Sequence, residues 1–173
     1  MKKFTALFIL LFLFACQTHV NEPPATIPHP ILPKTISSEA KIAGGIETLY
    51  VSPIKMPFQA RMDTGAETSS IDAKNLQPFE RDGEKWISFD VINRKNGESY
   101  HFEKPIKRKT KIVRIEDKEH RYVVNMNIKM GNELITAEFT LADREKFDYQ
   151  ILIGRNIING RYIIDPTLEN TMH

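Results

Sequence analysis

Short segments of alternating hydrophobic and polar residues, separated by turn-forming residues, make up most of the chain after residue 40. The clearest is residues 121–130, whose apolar members are Tyr122, Val124, Met126, Ile128 and Met130. A period of two predicts a strand with one face in the core. The same reasoning predicts further strands over residues 47–51, 55–62, 68–71, 86–92, 100–102, 135–141, 149–153 and 162–166, the last of them stopped by Pro166.

Turn-forming dipeptides lie between several of these predicted strands. Asp82-Gly83, Asn96-Gly97 and Gly131-Asn132 are dipeptides typical of hairpin turns. After Gly154, a short apolar segment predicts one or two turns of helix. Many short strands with few helices indicate a mainly β fold, and a small closed β barrel is the expected architecture.

The first 16 residues have a different pattern. Lys2 and Lys3 precede an almost unbroken apolar run that ends at Cys16, the one cysteine of the chain. Such a run has the length of a signal-peptide core and is short for a membrane-spanning helix. Leu-Phe-Ala-Cys resembles a bacterial lipobox, which implies lipidation of Cys16. A plain secretory signal or a signal anchor is the alternative interpretation.

Residues 16–40 are predicted to be a tether. They contain half of the ten prolines of the chain, namely Pro23, Pro24, Pro28, Pro30 and Pro33, and proline at this density favours extended, solvated backbone. The predicted organisation is a signal peptide over residues 1–15, the tether, and a globular domain over residues 41–173. Because Gln17 is not Asp, we expect the lipid anchor on the periplasmic face of the outer membrane of a bacterial envelope.

The composition of the chain argues only against a strongly charged partner such as nucleic acid. The 173 residues carry a formal net charge of +2 from 24 basic and 22 acidic side chains, so no nucleic-acid partner is expected. Eight lysines and arginines lie within residues 104–121. They indicate either a solvated strand face or a patch that recognises an acidic substrate or anionic lipid, and the pattern leaves both open.

One segment concentrates more candidate catalytic side chains than any other, namely Arg61-Met62-Asp63-Thr64-Gly65-Ala66-Glu67-Thr68-Ser69-Ser70. An apolar-rich segment leads into Asp63, and Gly65 allows close backbone approach to its carboxylate because glycine lacks a Cβ. A carboxylate paired with a second one that shares its proton can activate water. The alternative is a structural turn, since Asp, Thr and Gly are all turn formers.

Downstream, an apolar strand runs into Gly154-Arg155-Asn156. Together with Asp63-Thr64-Gly65-Ala66, this resembles the retropepsin-like aspartic protease family. From about Ile46 to Pro166, the chain resembles more closely the bacterial family known as ATP-dependent zinc proteases, which is also described as retropepsin-like and linked with RimK-type ligases. Further matching segments are Pro78 to Gly83, Arg121 to Val124, Leu152 to Arg155 and Asp165-Pro166, whereas Glu67 stands where a basic residue is expected.

The resemblance implies a retropepsin-like barrel in which Asp63 is catalytic. Thr64, Gly65 and Ala66 would support the active site, while Gly154, Arg155 and Asn156 would be structural, with Arg155 buried and supporting a dimer. The sequence has no second Asp-Thr-Gly. A homodimer that contributes one Asp63 from each subunit is therefore the economical source of the second carboxylate. Asp165 is expected to end a strand rather than to act as an acid.

The predicted function is a membrane-tethered aspartic endopeptidase that acts on peptides or proteins. A catalytically silent peptide-binding module of the same fold is the alternative, and a metal-dependent amidase is a weaker third idea. No cofactor or metal is expected, since the chain has neither His-Glu-x-x-His nor a P-loop. A substrate-covering flap is expected between Trp86 and Ile112, with Asn96-Gly97 at its tip.

Overall fold

The computed structural model describes residues 40–113 and 118–172. Its strands and helix are β1 (Lys41–Val51), β2 (Phe58–Met62), β3 (Ser69–Asp72), β4 (Lys74–Arg81), β5 (Glu84–Ile92), β6 (Ser99–Pro105), β7 (Arg108–Val113), β8 (Lys118–Met130), β9 (Glu133–Ala142), β10 (Ile151–Ile153), α1 (Arg155–Ile158) and β11 (Tyr162–Glu169). The predicted signal peptide, Cys16 and almost all of the tether lie outside the described residues, so they stay predictions.

Six strands form a closed ring of backbone pairing. Their order is β1-β2-β10-β3-β9-β8, and β8 returns to β1 through the antiparallel pairs from Leu49 with Met130 to Val51 with Ile128. Alternation is compatible with closure, because a curved sheet can then point one set of side chains into a single core. Strand β7 extends the sheet beyond β8, and β11 lies outside β1.

The centre of the ring holds large apolar side chains from every strand. Phe139, Met126 and Ile151 are among those with no solvent exposure. The strand predicted over residues 121–130 is confirmed, and it extends from Lys118 to Met130. The expectation of a mainly β fold with a short helix after Gly154 is also confirmed, since α1 has only four residues.

A second, three-stranded sheet is formed by β4, β5 and β6. Asp82-Gly83 joins β4 to β5, and both residues have the positive φ angles, 53° and 78°, that a tight hairpin needs. Residues 93–98, which include Asn96-Gly97, join β5 to β6. Ile87, Phe89 and Val91 on β5 are buried in the same core cluster as the ring.

Two predicted strand boundaries were wrong at β1 and β11. Strand β1 begins at Lys41 rather than at residue 47, and β11 continues through Pro166 to Glu169. Proline is tolerated there because β11 is an edge strand with a register shift opposite Gly44 and Ile46. The interpretation of Asp165 as the end of a strand was therefore wrong; its carboxylate accepts hydrogen bonds from the N–H and hydroxyl of Thr167.

None of the helices described in residues 40–113 and 118–172 is long and apolar enough to cross a membrane.

Candidate active site

Asp63 lies where β2 leaves the ring. Its backbone N–H donates to the carbonyl of Ile153 at 2.9 Å, so β2 and β10 remain paired up to this residue. The chain then turns, and the N–H groups of Gly65 and Ala66 both donate to Oδ1 of Asp63, at 2.8 and 3.2 Å. One carboxylate oxygen is thus held by the backbone of its own loop, which orients the half-buried side chain.

The segment Gly154-Arg155-Asn156 supports this loop from the other side. The N–H of Arg155 donates to the carbonyl of Ala66 at 2.8 Å. Oδ1 of Asn156 accepts from both the N–H and the hydroxyl of Ser69. That hydroxyl oxygen in turn accepts from the N–H of Gly154 at 3.0 Å. The contacts connect two segments about ninety residues apart into one rigid unit.

Gly154 is needed for close approach rather than for an unusual backbone angle. A Cβ at this position would lie 2.8 Å from the carbonyl carbon of Thr68 and 3.0 Å from the carbonyl oxygen of Ala66. Its φ of −96° is accessible to any residue. A side chain here would therefore push residues 63–68, which we call the Asp63 loop, away from β10.

Arg155 differs from what the family resemblance implied. It is half-exposed rather than buried, and its guanidinium donates to the carbonyls of Thr64 and Gly65, at 3.1 and 2.7 Å. The side chain therefore braces the residues next to Asp63 within one chain.

A cleft that we call the Asp63 pocket opens beside this loop. It has a volume of about 570 Å³ and is lined by parts of β1, β2 and β11, namely Gly45, Ile46, Arg61, Met62, Asp63, Thr64, Ile164, Pro166 and Glu169. Glu169 is the other carboxylate among these lining residues. Strand β11 therefore forms one wall of the pocket, a role that its sequence pattern did not indicate.

A second cleft, which we call the arginine cavity, borders the next part of the loop. It has a volume of about 350 Å³ and is lined by Ala66, Glu67, Thr68, Ser70, Thr110, Lys111, Arg121, Thr140, Arg144, Phe147 and Leu152. Arg121 and Arg144 are only 7% and 6% exposed. Two buried guanidinium groups therefore line one small cavity.

Arg144 is fixed by one contact with a residue distant in sequence and by two within its own loop. Its N–H donates to Oδ1 of Asp72 at 2.8 Å, its Nε donates to the carbonyl of Tyr149 at 3.1 Å, and its guanidinium lies 4.7 Å from the ring centre of Phe147. Burial lowers the pKa of Arg144, and the nearby charge of Arg121 lowers it further. The negative charges of Asp72 and Asp63 act in the opposite direction.

The flap prediction was wrong about which hairpin lies near Asp63. The turn over residues 93–98 packs at the starts of β2 and β10, where the N–H of Arg94 donates to the side chain of Gln150 and Asn93 reaches the carbonyl of Pro57. Because β2 and β10 are parallel, Asp63 lies at their opposite ends. The strands near the loop are β7 and β8, and Arg108 on β7 reaches the hydroxyl of Thr68 at 3.5 Å.

Strand β8 also changes the interpretation of the basic stretch over residues 104–121. Arg108 and Lys111 are exposed, as a solvated strand face predicts, but Arg121 is buried.

No group of three potential metal ligands occurs within the residues that the structure describes.

The chain belongs to the RimB-like family, whose description is retropepsin-like aspartic endopeptidase RimB, and the family model matches residues 42–173. This match covers the ring, the second sheet and the whole Asp63 loop. The expected resemblance to retropepsin-like proteins is therefore confirmed at the level of the family.

Several similar proteins are known. The chain is 36% identical over 135 residues to a probable alpha-L-glutamate ligase of Desulfotalea psychrophila and 35% identical over 129 residues to one of Parasynechococcus marenigrum. These matches cover 75% and 72% of the chain but only 29% and 28% of the relatives. A solved structure of a Legionella pneumophila protein of unknown function has a TM-score of 0.66 and 32% identity, covering 77% of this chain and 98% of that one.

Sequence reasoning missed most residues around Asp63. Arg121, Arg144 and Glu169 come from β8, the loop after β9 and the end of β11. Arg121 opens the segment Arg121 to Val124 that carried part of the family resemblance, but the alternation of β8 placed it on the polar face, whereas it is buried. No local motif marks Arg144 or Glu169, because their proximity depends on how the strands are ordered.

Proposed function

We propose that this protein is a membrane-tethered aspartic endopeptidase in which paired Asp63 carboxylates of a homodimer activate water. The observation that carries the proposal is the geometry of the Asp63 loop. Its carboxylate is oriented by two backbone N–H groups, is braced by Gly154-Arg155-Asn156, and faces an open pocket. A residue that served only as a turn would not need the brace or the pocket.

The chemistry follows from two carboxylates held close together. Two like charges a few ångströms apart cannot both ionise easily, so such a pair shares one proton. The ionised member takes a proton from water as the water attacks the peptide carbonyl, and the protonated member donates to the carbonyl oxygen. A proton then passes to the leaving amine.

A second copy of the chain is the proposed source of the other carboxylate. Glu169 also lines the Asp63 pocket, but it lies in an exposed part of β11 without the backbone donors that orient Asp63. A two-fold axis would bring together two identical, equally oriented groups. Thr64, exposed beside Asp63, would then face the partner loop.

An acidic peptide is the proposed substrate class. The arginine cavity borders Ala66, Glu67 and Thr68, directly beyond Asp63. The charge of Arg121 acts unfavourably on that of Arg144, so an acidic group of a substrate bound in this cavity would be favoured over a neutral one. The relatives named probable alpha-L-glutamate ligases contain a segment similar to this chain, which supports a peptide rich in glutamate.

Membrane attachment is proposed on the sequence of residues 1–16. Lipidation of Cys16 would hold the catalytic domain at a bacterial envelope membrane through acyl chains, each buried methylene contributing about 0.8 kcal/mol. The periplasmic face of the outer membrane is the proposed location, since Gln17 follows the cysteine.

The test compares cleavage by wild-type protein with cleavage by Asp63→Asn. Purified full chain is incubated with a glutamate-rich peptide and with a neutral peptide of equal length, from pH 3 to pH 7, and products are identified by mass spectrometry. Loss of the acid–base pair should reduce cleavage by about 10³-fold or more. Asp82→Asn is the matched control, because Asp82 lies in the β4–β5 turn at a φ of 53°, a conformation that Asn adopts as readily as Asp.

Three results would contradict parts of the proposal. Wild-type protein that binds the peptide but never cleaves it would favour a catalytically silent peptide-binding module. Full activity in Asp63→Asn would remove Asp63 from the mechanism, and Glu169→Gln would then be the next variant. Equal cleavage of both peptides would exclude the acidic substrate class.

A further inference from the structure

We infer that Ser70 is a specificity-determining residue, whose hydroxyl donates a hydrogen bond to a carboxylate of the peptide bound in the arginine cavity. The inference rests on the proposed function, which gives this cavity to acidic peptides. It adds a particular donor beside the guanidinium groups and names the chemical group that this donor contacts.

The hydroxyl of Ser70 has no partner within the fold. It is the one buried side-chain polar atom that lacks a hydrogen bond in the part of the chain that the structure describes, and the residue is 4% exposed. A buried hydroxyl without a partner costs free energy. Because a serine side chain turns between staggered positions, this hydroxyl is available to a group that enters the cavity.

The neighbouring hydroxyls are used by the fold itself. The hydroxyl of Ser69 donates to Asn156 and accepts from the N–H of Gly154. The hydroxyl of Thr140, the register partner of Ser70 on β9, donates to the carbonyl of Ser69 at 3.2 Å. Packing of the loop therefore explains these two groups but leaves the hydroxyl of Ser70 unexplained.

Ser70 lines the same cavity as the two buried arginines. Arg144 uses its N–H and Nε in hydrogen bonds to Asp72 and Tyr149, whereas its two Nη atoms make none with the residues that the structure describes. The terminal nitrogens of a guanidinium bind both oxygens of a carboxylate in a favourable geometry. The cavity therefore offers a carboxylate both a charged donor and a hydroxyl.

The charges around the cavity favour an anion over a neutral group. The buried charge of Arg121 acts unfavourably on that of Arg144, and a negative group bound here would offset both. Glu67 and Lys111 also line the cavity, but both are exposed. Their opposite charges are screened by water and salt.

The strand register places Ser70 within reach of a peptide held at Asp63. Ser70 is opposite Leu152 on β10, and Leu152 is opposite Arg61 on β2. Side chains of register partners project from the same side of a sheet, and two strand spacings separate Ser70 from Arg61 by roughly 10 Å. An extended peptide spans that distance in about three residues. The charge of Asp63 also acts on Arg144, so the cavity lies close to the proposed catalytic group.

The first experiment measures peptide binding by isothermal titration calorimetry, with full chain in detergent that carries Asp63→Asn so that nothing is cleaved. The probes are acetylated tetraglutamate amide and acetylated tetraglutamine amide, which differ only in their side-chain carboxylates. Adding Ser70→Ala should weaken binding of the glutamate peptide about 10-fold, and that of the glutamine peptide less, because hydrogen bonds to charged groups are the stronger ones.

Ser88→Ala is the matched control and should change neither affinity. Ser88 lies on β5 outside the cavity, and its hydroxyl reaches the carbonyl of Gln77 at 3.5 Å. A third probe, acetylated tetraglutamine with a free C-terminus, separates the two sources of a carboxylate. A Ser70-dependent gain for this probe supports the inference with the terminal carboxylate as ligand, and a gain for the tetraglutamate amide alone supports it with a side-chain carboxylate.

Thermal unfolding separates recognition from a structural role. Ser70→Ala should unfold at a temperature no lower than that of the unchanged protein, since it removes a hydroxyl without a partner, whereas Ser69→Ala should unfold at a lower one. A loss of stability in Ser70→Ala, or an unchanged ratio of the glutamate and glutamine affinities, overturns the inference.

Cleavage assays keep this inference distinct from the proposed function. Ser70-dependent binding of the glutamate peptide by a chain that cleaves nothing when Asp63 is intact overturns the endopeptidase proposal alone. Asp63-dependent cleavage whose preference for glutamate is unaffected by Ser70→Ala overturns the role of Ser70 alone.

Discussion

The Asp63 pocket and the arginine cavity border consecutive parts of one loop, yet they are built in different ways. In the pocket, the key carboxylate is half-exposed and is oriented by N–H groups two and three residues away. In the cavity, the two arginines are buried and come from β8 and from the loop after β9. Local backbone therefore positions the group proposed for chemistry, while long-range packing positions the groups proposed for recognition.

Among changes outside Asp63 itself, the largest expected effect comes from Gly154→Ala, which should disturb both clefts at once. The new Cβ would press on the carbonyl carbon of Thr68 and the carbonyl oxygen of Ala66. Misplacement of the loop by about 1 Å should lower cleavage of every peptide about 100-fold. Thermal unfolding should show a loss of about 1–3 kcal/mol.

Activity in that experiment is measured at a temperature where both proteins are fully folded, so that the two losses are separated. An unchanged rate on both peptides would mean that the loop does not depend on contact with Gly154.

Arg121→Met should affect recognition in the arginine cavity without affecting the chemistry in the Asp63 pocket. It removes one of the two buried charges while keeping a long apolar side chain. The change relieves the repulsion with Arg144 but also removes the interactions of the guanidinium within the fold, so stability is measured beside activity. Cleavage of a glutamate-rich peptide should fall roughly 10- to 100-fold, since a hydrogen bond to a charged group contributes about 1.5–3 kcal/mol. Cleavage of a neutral peptide should not fall.

The ratio of kcat/KM for the two peptides is the measurement for Arg121→Met. Lys107→Met is the control, because Lys107 is an exposed basic residue of the same stretch. Parallel loss on both peptides would assign Arg121 to the fold rather than to recognition.

Glu47→Gln should loosen the residues that follow β11, the strand that forms one wall of the Asp63 pocket. Burial by itself would raise the pKa of Glu47, but hydrogen bonds from Thr171, Gly44 and Met172 hold it below its ordinary value of 4.5. Because the pKa is depressed in the folded state, this stabilisation is present above about pH 4.5 and is lost as the pH falls through the lower folded value. The amide replacement should cost about 2 kcal/mol at neutral pH, since it cannot accept all four of the hydrogen bonds that Gly44, Thr171 and Met172 donate.

Denaturant unfolding of wild type and Glu47→Gln at pH 7 and at pH 3 tests this. The difference between the two proteins should be clear at pH 7 and smaller at pH 3. A difference that grows on acidification would contradict the assigned direction of the pKa.

The smallest effect is expected far from both clefts. Arg81 and Glu103 form an exposed ion pair between β4 and β6, and such pairs typically contribute less than about 1 kcal/mol. Glu103→Gln should therefore leave cleavage unchanged and shift unfolding by no more than that amount. A large loss of activity would show that the second sheet takes part in substrate binding.

Much of the fold was accessible from hydrophobic alternation and turn chemistry. Strand β8 and the turns at Asp82-Gly83 and Gly131-Asn132 were predicted from a few neighbouring residues each, because strand period and turn geometry are local properties. The passage of β11 through Pro166 was not, since proline usually ends a strand. It is tolerated only because this strand lies at an edge and bulges over two glycines.

The candidate site divides in the same way. By itself, the sequence marked Asp63 and the small residues that orient its carboxylate as the candidate site, because backbone turns leave marks in nearby residue types. The family resemblance added the downstream Gly154-Arg155-Asn156 segment. Only the tertiary structure placed Arg121 beside Arg144, made β11 a wall of the Asp63 pocket, and moved the β5–β6 turn to the far end of β2. Those outcomes depend on the order of strands in a closed ring, which no single segment encodes.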